Sequence, residues 1–216
     1  MAFILPGDPS VPWSSFKNIV DKKVVIIQER NLRKQVGFTT ERITKEVYKS
    51  KKMIKRSQIL KSDLLGDIEA TSIFSKDTFK PYTHHISRKG SFKKVEYFES
   101  FIRLIQGDSE KIIKIENQLF ESHSVEMVIR LLPLHQRYIT NLFAFHPGKE
   151  EVINVVIRVV STDFVKKCGM DCVESWQVEV NFDGNIQFYW ISINDKELFK
   201  QENVLSPNKK MIFERE

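Results

Sequence analysis

The sequence predicts a mainly β, single-domain protein: a strongly curved antiparallel meander sheet, or a partly closed β-barrel, with one short helix. Segments rich in β-branched and aromatic residues recur along most of the 216 residues, separated by Gly, Pro, Asn and Asp. Two alternating runs, residues 172–182 and 186–193, flank Asp183-Gly184, a pair that suits a tight hairpin turn. A sheet of roughly ten to twelve strands must curl, close or split in two.

The elements follow one another locally, as in a meander. Residues 1–21 contain three prolines and are predicted to form an irregular arm, pinned to the body by Trp13 and Phe16. Residues 22–216 are predicted to form the single β-rich domain. Its predicted strands lie within residues 22–30, 42–61 (two strands that turn near 50–51), 68–74, 82–87, 93–105, 111–116, 136–145, 152–160, 172–182, 186–193, 197–202 and 211–215.

One short helix interrupts the strands. Ser122 or Ser124 is placed to cap it, and Pro133 ends it. Its apolar residues recur at i, i+3, i+4 and i+7, so they form one face that should lie against the sheet. These residues are Val125, Val128, Ile129 and Leu132.

Composition places the chain among globular proteins, because 41% of its residues are hydrophobic and 11% aromatic. No apolar run reaches the roughly 20 residues of a membrane helix. The N-terminus has no basic region before its apolar stretch, which predicts the absence of a signal peptide and a cytoplasmic location. Two cysteines agree with a protein that does not depend on disulfides.

Basic residues are concentrated in the first half of the chain. Residues 1–108 hold 21 lysines and arginines against 12 acidic residues, and residues 42–61 are the densest part, which we call the basic stripe. The stripe could bind a protein or an anionic surface, or it could be a solvated strand pair whose lysines block aggregation. Nucleic acid is not an expected partner, because only Tyr48 offers a stacking ring within the stripe. The predicted surface residues are Lys45, Lys49, Lys52, Lys55 and Arg56.

No known catalytic motif occurs: phosphate-binding loops, the nucleophile elbow and the zinc-protease signature are all missing. A Cys–His nucleophilic pair drawing on His123, His135 or His146 would need a proximity that spacing cannot show. We therefore predict no catalytic residues and no cofactor, and an enzyme with a dispersed site is the least favoured hypothesis.

The sequence also predicts no metal site. His84 and His85 are adjacent on a strand, so they point to opposite faces and do not readily share one ion. Cys168 and Cys172 have a spacing compatible with zinc ligands, but a structural site needs a second pair. Cys172 lies on the same strand face as Trp176, which favours a core thiol.

Several motifs after residue 124 resemble those of the bacterial DUF3108 family of domains of unknown function. They are a helix end (VEMVIRLLPL, residues 125–134), a strand (152–160), a glycine-containing turn (KCG, 167–169), a strand in which apolar and polar residues alternate (CVESWQVE, 172–179), a strand that contains tryptophan (WIS, 190–192) and the segment LFK (198–200). Upstream, TFKPYT at residues 78–83 resembles the proline-containing segment of that family. The resemblance covers most of residues 22–205. It implies a curved β-sheet or partly closed barrel, and it implies no catalytic residues.

The first functional hypothesis is a non-enzymatic binding module that holds an apolar or amphipathic small molecule on its concave face. Arg158 interrupts an apolar strand, where an arginine is either paired with a carboxylate across the sheet or forms an anion clamp in a cavity. Aromatic residues around the interior could instead form a packed core. The predicted ligand-binding residues are Arg130, Arg158, Phe143, Trp176, Phe188 and Trp190. The alternative hypothesis is a structural or scaffolding protein that uses the basic stripe.

Overall fold

Strands dominate residues 3–166 and 172–215, the part of the chain that the structure, a computed structural model, describes. In chain order they are β1 (Ile19–Glu29), β2 (Leu32–Tyr48), β3 (Lys51–Lys61), β4 (Ile68–Ser75), β5 (Pro81–Arg88), β6 (Ser91–Tyr97), β7 (Phe101–Gln106), β8 (Ser109–Lys114), β9 (Phe120–Glu121), β10 (Ile139–His146), β11 (Glu151–Lys166), β12 (Cys172–Phe182), β13 (Asn185–Ser192), β14 (Leu198–Ser206) and β15 (Lys209–Arg215). Helix α1 (Val125–Leu131) lies between β9 and β10, directly after a 3₁₀ turn at Ser122–Ser124.

All fifteen described strands belong to one sheet, in the order β8-β7-β6-β5-β4-β3-β2-β1-β15-β14-β13-β12-β11-β10-β9. The chain starts in the middle, runs outward to β8, crosses to the other edge at β9 and returns until β15 pairs with β1. Every pairing is antiparallel except the short parallel contact of β9 with β10. The predicted antiparallel meander is confirmed.

The two ends of the sheet meet through side chains. Ile102 and Leu104 of β7 and Val95 of β6 share a buried apolar cluster with Leu119 and Phe145, which lie at the opposite end of the sheet. Because a sheet of this size cannot stay flat, its ends overlap and bury each other's apolar face. The result is the predicted partly closed barrel.

Helix α1 runs through the interior of this barrel. Its residues Val125 to Arg130 are all buried, including the charged Glu126 and Arg130. The expectation of one apolar face lying against a sheet was therefore wrong in part, because the curled sheet surrounds the helix. Neither serine caps it as expected: Ser124 is the N-cap residue, and its side chain makes no capping hydrogen bond.

The N-terminal arm closes one end of the barrel. Trp13 and Phe16, the residues predicted to pin it, are both buried. The ring of Trp13 packs 5.3 Å from that of Phe79 and 5.8 Å from that of Phe120, measured between centroids. The arm thus supplies the apolar cover that the sheet lacks at that end.

Several strand boundaries differ from the expectation: β1 begins at Ile19, within the residues predicted as the arm, and β11 continues to Lys166 rather than ending at 160. Residues 93–105, predicted as one strand, contain β6, a turn and β7. Strand β2 begins ten residues before the predicted start of residues 42–61, at Leu32, because β1 and β2 form one long hairpin. The hairpin predicted at Asp183-Gly184 is present, with φ of 53° and 90° at these residues, as a turn of this kind requires.

One of the two cysteine predictions is wrong, and the other concerns a residue that the structure does not describe. Cys172, expected in the core, is exposed, because it stands at the start of β12, beyond the part of the strand that the core covers. Cys168 lies outside the described residues. Across the ranges that the structure describes, no helix is long and apolar enough to cross a membrane. The cytoplasmic location stays a prediction.

We expect Trp13→Ala to lower the free energy of unfolding by about 3–5 kcal/mol, because it opens a cavity between the arm and the core. Urea denaturation of the purified variant measures this change. Phe164→Ala is the matched control, since Phe164 is 67% exposed, and it should stay within about 0.5 kcal/mol of the parent. Equal effects of the two substitutions would contradict the role of the arm.

Candidate functional site

The barrel interior contains a cavity of about 300 Å³ at the end opposite the arm. Strand β4 runs from the cavity to the arm end of the barrel. Ile68 and Ala70 line the cavity, whereas Phe74, six residues after Ile68, belongs to the core that packs against the arm. The 3₁₀ turn before α1 reaches the cavity with Ser122 and His123. The cavity therefore lies between the inner face of the sheet and the start of the helix.

The cavity walls are amphipathic. Apolar side chains form one part of the wall: Leu60, Ile68, Ala70, Ile86, Phe182 and Phe213. Amide side chains form another part, and they are joined to each other. The Nε2 amide of Gln201 donates to Gln187 Oε1 (3.1 Å) and to Asn203 Oδ1 (2.9 Å), while the Tyr189 hydroxyl donates to Gln187 Oε1 (2.5 Å).

A buried ionic cluster forms the floor of this site. The Arg56 guanidinium lies between two carboxylates, with its Nε 2.5 Å from Glu41 Oε1 and an Nη 2.6 Å from Glu126 Oε1. Arg56 also donates to the backbone carbonyl of His123. These contacts join β2, β3 and α1, and all three charged side chains are less than a tenth exposed.

Burial and charge shape the ionisation of the cluster. Burial by itself would raise the pKa of Glu41, but Arg56 and Lys23 outweigh it and lower that pKa to about 2. Burial raises the pKa of Glu126, and Arg56 only partly offsets this effect. Burial opposes the charge of Arg56, yet Glu126 and Glu41 outweigh it and raise the arginine pKa. Glu41 is therefore the permanent anion of the cluster, and Glu126 is the carboxylate closer to protonation.

The cluster extends to β1 and β15. Lys23 Nζ lies 3.0 Å from Asp21 Oδ2 and 3.9 Å from Glu41 Oε2. Asp21 in turn accepts a hydrogen bond from Arg215 Nη2 of the last strand at 3.2 Å, and its other carboxylate oxygen lies 2.8 Å from Arg215 Nε. The first and last strands are thus tied together by charge as well as by backbone pairing.

A second polar group adjoins the first. His84 of β5 and Glu121 of β9 are fully buried, and the ring of His84 stacks on that of His123 with centroids 4.8 Å apart. The Ser72 hydroxyl lies 2.9 Å from His84 Nδ1 and 3.4 Å from Glu121 Oε2. Burial lowers the pKa of His84 to about 4, so its imidazole is neutral at pH 7.

The six predicted ligand-binding residues lie elsewhere, and other side chains form the cavity walls. Arg130 is buried beside the arm, where its Nε donates to the Lys196 carbonyl and its guanidinium lies 5.1 Å from the Phe16 ring. Trp176 points inward but packs against the main core.

The other four predicted residues lie on faces that point away from the cavity. Arg158 is exposed and pairs with Glu179 at 2.8 Å, which is the cross-sheet pairing considered from the sequence. Trp190 and Phe188 alternate with the inward-facing Tyr189, so they face outward, and Trp190 Nε1 donates to Asp163. Phe143 stacks on Phe3 of the arm.

The basic stripe is only partly a surface. Lys45, Lys49 and Lys52 are exposed and Lys55 is half-buried. Arg56 was placed wrongly on the surface: it is 4% exposed. The reason is the alternation of side chains along a strand: Arg56 is two residues after Ile54, so both point to the inward face of β3, and Ile54 is completely buried.

The alternation of inward and outward residues along each strand is the sequence feature that could have identified the site. Residues two apart on a strand share a face, so Ile54, Arg56 and Gln58 form one inward row. Likewise His84 and Ile86 share the inward face of β5, and His85 faces outward, as predicted for the adjacent pair. The sequence does not show which face of each strand points inward, so it could not show that these rows, rather than the alternate rows, line the interior.

Comparisons with known proteins agree with this description. The model of DUF3108, described as a protein of unknown function, matches residues 30–204. The structure is similar to the crystal structure of a beta-barrel-like protein of the domain of unknown function DUF1849 from Brucella abortus. That pair has a TM-score of 0.58 and 10% sequence identity, over 92% of this chain and 96% of that one. This likeness shows the fold alone. The search of curated proteins found no match.

Glu41 predicts an acid dependence of stability. Its pKa falls from an ordinary value of 4.5 to about 2 in the folded chain, so the charged carboxylate stabilises the fold above pH 4.5, and this contribution is lost as the pH falls toward 2. The contribution is about 3 kcal/mol at pH 7.

We therefore expect Glu41→Gln to lower the free energy of unfolding at pH 7 by about 3 kcal/mol and to flatten its decline between pH 5 and about pH 2. Urea denaturation at a series of pH values measures both effects. Glu116→Gln changes an exposed carboxylate and should alter neither. An unchanged acid slope in Glu41→Gln would contradict the role of the buried cluster.

Proposed function

The chain belongs to the DUF3108 family of proteins of unknown function, and we propose that it is a non-enzymatic binding protein that holds a small amphipathic molecule in its inner cavity. The observation that carries the proposal is the composition of the cavity walls, which combine apolar side chains with hydrogen-bonded amide side chains. A volume of about 300 Å³ stands at the lower end of the range for small-molecule sites.

The position of the cavity supports entry from one end only. The arm fills the other end with Trp13 and Phe16, so a molecule would enter where β4 begins and β12 ends. A barrel closed at one end and open at the other is a common form of small-ligand site.

The charges of the site restrict the ligand. Arg56 faces the cavity, but Glu41 and Glu126 already neutralise it. A strongly anionic head group would therefore meet as much repulsion as attraction. The amides of Gln187, Gln201 and Asn203 offer both donors and acceptors. We expect a ligand with an uncharged polar group directed at the amides and a short apolar part against Leu60 and Ile68.

The scaffolding alternative has less support. Strand phase splits the basic stripe: Lys52 is in phase with the inward-facing Ile54, whereas Lys55 lies on the opposite face and Lys49 is in the turn. A single basic contact surface needs its charges on one face. Binding of a partner through these lysines stays a prediction.

We expect Ala70→Phe to reduce binding of an uncharged fluorescent amphiphile, such as N-phenyl-1-naphthylamine, at least about tenfold, because the ring would fill the cavity. A fluorescence titration of the purified protein measures the dissociation constant. Native mass spectrometry of the parent protein should additionally show any small molecule carried through purification.

Thr71→Phe is the matched control for this titration. It adds the same ring to the same strand, on the face that points away from the cavity. Equal affinities of the two variants would overturn the proposal, and so would failure of the parent protein to bind the probe.

A further inference from the structure

We propose that His84, Glu121 and His123 form a binding site for a divalent transition-metal ion, with Zn²⁺ as the best match. Each of the three side chains offers a ligand atom that lies within 4.8 Å of those of the other two. Two imidazoles and one carboxylate are a ligand set that zinc accepts, with a fourth position left for another molecule.

An orphaned nitrogen supports the site independently of this clustering. His84 Nε2 is fully buried and has no hydrogen-bond partner. Buried polar atoms are otherwise nearly always satisfied, so an unpaired one requires an explanation. A bound cation provides one, because the lone pair of an imidazole nitrogen is a metal ligand.

Ser72 determines which nitrogen of His84 carries the proton. In the proposed metal-binding tautomer, the Ser72 hydroxyl donates to Glu121 Oε2 (3.4 Å) and its oxygen accepts from His84 Nδ1 (2.9 Å). A neutral imidazole with its proton on Nδ1 has a bare lone pair on Nε2. Metal-binding histidines are usually held in this way, with the second ring nitrogen donating to a neighbouring group.

The surrounding charges also favour a cation. Glu121 is buried with the two histidines, and Glu41 and Glu126 lie close to it across Arg56. Arg56 is shared by Glu41 and Glu126, whereas the ion-pair contact of Glu121 among the described residues is to His84. A divalent ion bound by the two histidines would place a positive charge directly beside the buried Glu121 carboxylate.

Binding would require a small rearrangement. Zinc bonds of about 2.0–2.2 Å place tetrahedral ligand atoms about 3.4 Å apart. The ligand atoms lie within 4.8 Å of one another, so the side chains must approach by up to about 1.4 Å. The His123 ring must also leave its stack on His84, because two parallel rings cannot direct their in-plane lone pairs at one ion. His123 lines the cavity, which gives it the space to turn.

The site is reached from the cavity, since His123 borders both. An ion there would have its open coordination position toward the cavity, accessible to a polar group of a bound molecule. Zinc binding does not depend on the amphipathic ligand of the proposed function. A titration with the metal alone therefore tests the zinc site, and either proposal can fail without the other.

Isothermal titration of the metal-stripped protein with Zn²⁺ tests the site. We expect the parent protein to bind one ion per chain. His123→Ala and Glu121→Gln should each weaken binding by more than about 100-fold, because each removes a ligand. Ser72→Ala should weaken binding about 10- to 100-fold, because it changes the tautomer of His84. His85→Ala, which removes the neighbouring outward-facing imidazole, should leave the affinity unchanged. Circular dichroism confirms that each variant is folded.

Cobalt substitution identifies the ligands. The Co²⁺ spectrum should show a four- or five-coordinate ion without a thiolate charge-transfer band, and the spectrum should be lost in His123→Ala. A thiolate band would assign the ion to one of the two cysteines, Cys168 or Cys172, and overturn the proposal. No binding by the parent protein, or equal binding by His123→Ala and His85→Ala, would overturn it as well.

Discussion

The ion pairs of Arg56 with Glu41 and Glu126 join the enclosed helix to two strands of the barrel. Glu41 lies on β2, Arg56 on β3 and Glu126 on the helix that the sheet encloses, so the three charges fix the position of the helix within the barrel. Each charge is buried, and removing Arg56 would leave Glu41 and Glu126 facing each other without the cation they share, in a medium of low dielectric constant. The cavity walls and the histidine group both adjoin this cluster, and Arg56 reaches the His123 carbonyl directly. The geometry of the site therefore depends on the same contacts that hold the helix.

The barrel has two different ends because the chain uses its interior in two ways. At one end the arm and the aromatic residues Trp13, Phe79 and Phe120 exclude water. At the other end the inward rows of β3, β13 and β14 change from apolar to amide and charged side chains, and a cavity remains. Polar groups in such a cavity must be paired with each other, with water or with a ligand. The amides of Gln187 and Gln201 pair with each other, whereas His84 Nε2 does not.

Much of the fold could be predicted from local patterns. The Asp183-Gly184 hairpin, the helix that stops before Pro133 and the pinning of the arm by Trp13 depend on turn chemistry and burial, which are local properties. The site could not be predicted in the same way. Arg56 was counted among surface lysines because its neighbours along the chain are basic, yet its row neighbour Ile54 is in the core. Trp190 was expected at the interior because it is large and apolar, yet it packs on the outer face, beneath Lys200.

The sequence by itself determined the β-rich class, the local order of strands and the alternation of faces along each strand, because each depends on residues that are close in the chain. Only the tertiary structure decided which face points inward and which distant residues meet. His84, Glu121 and His123 come together because β5 and β9, far apart in the order of the sheet, approach each other when the sheet curls around the helix. That curling follows from the twist of the whole sheet and from its need to bury apolar surface at both ends, and no local pattern specifies it.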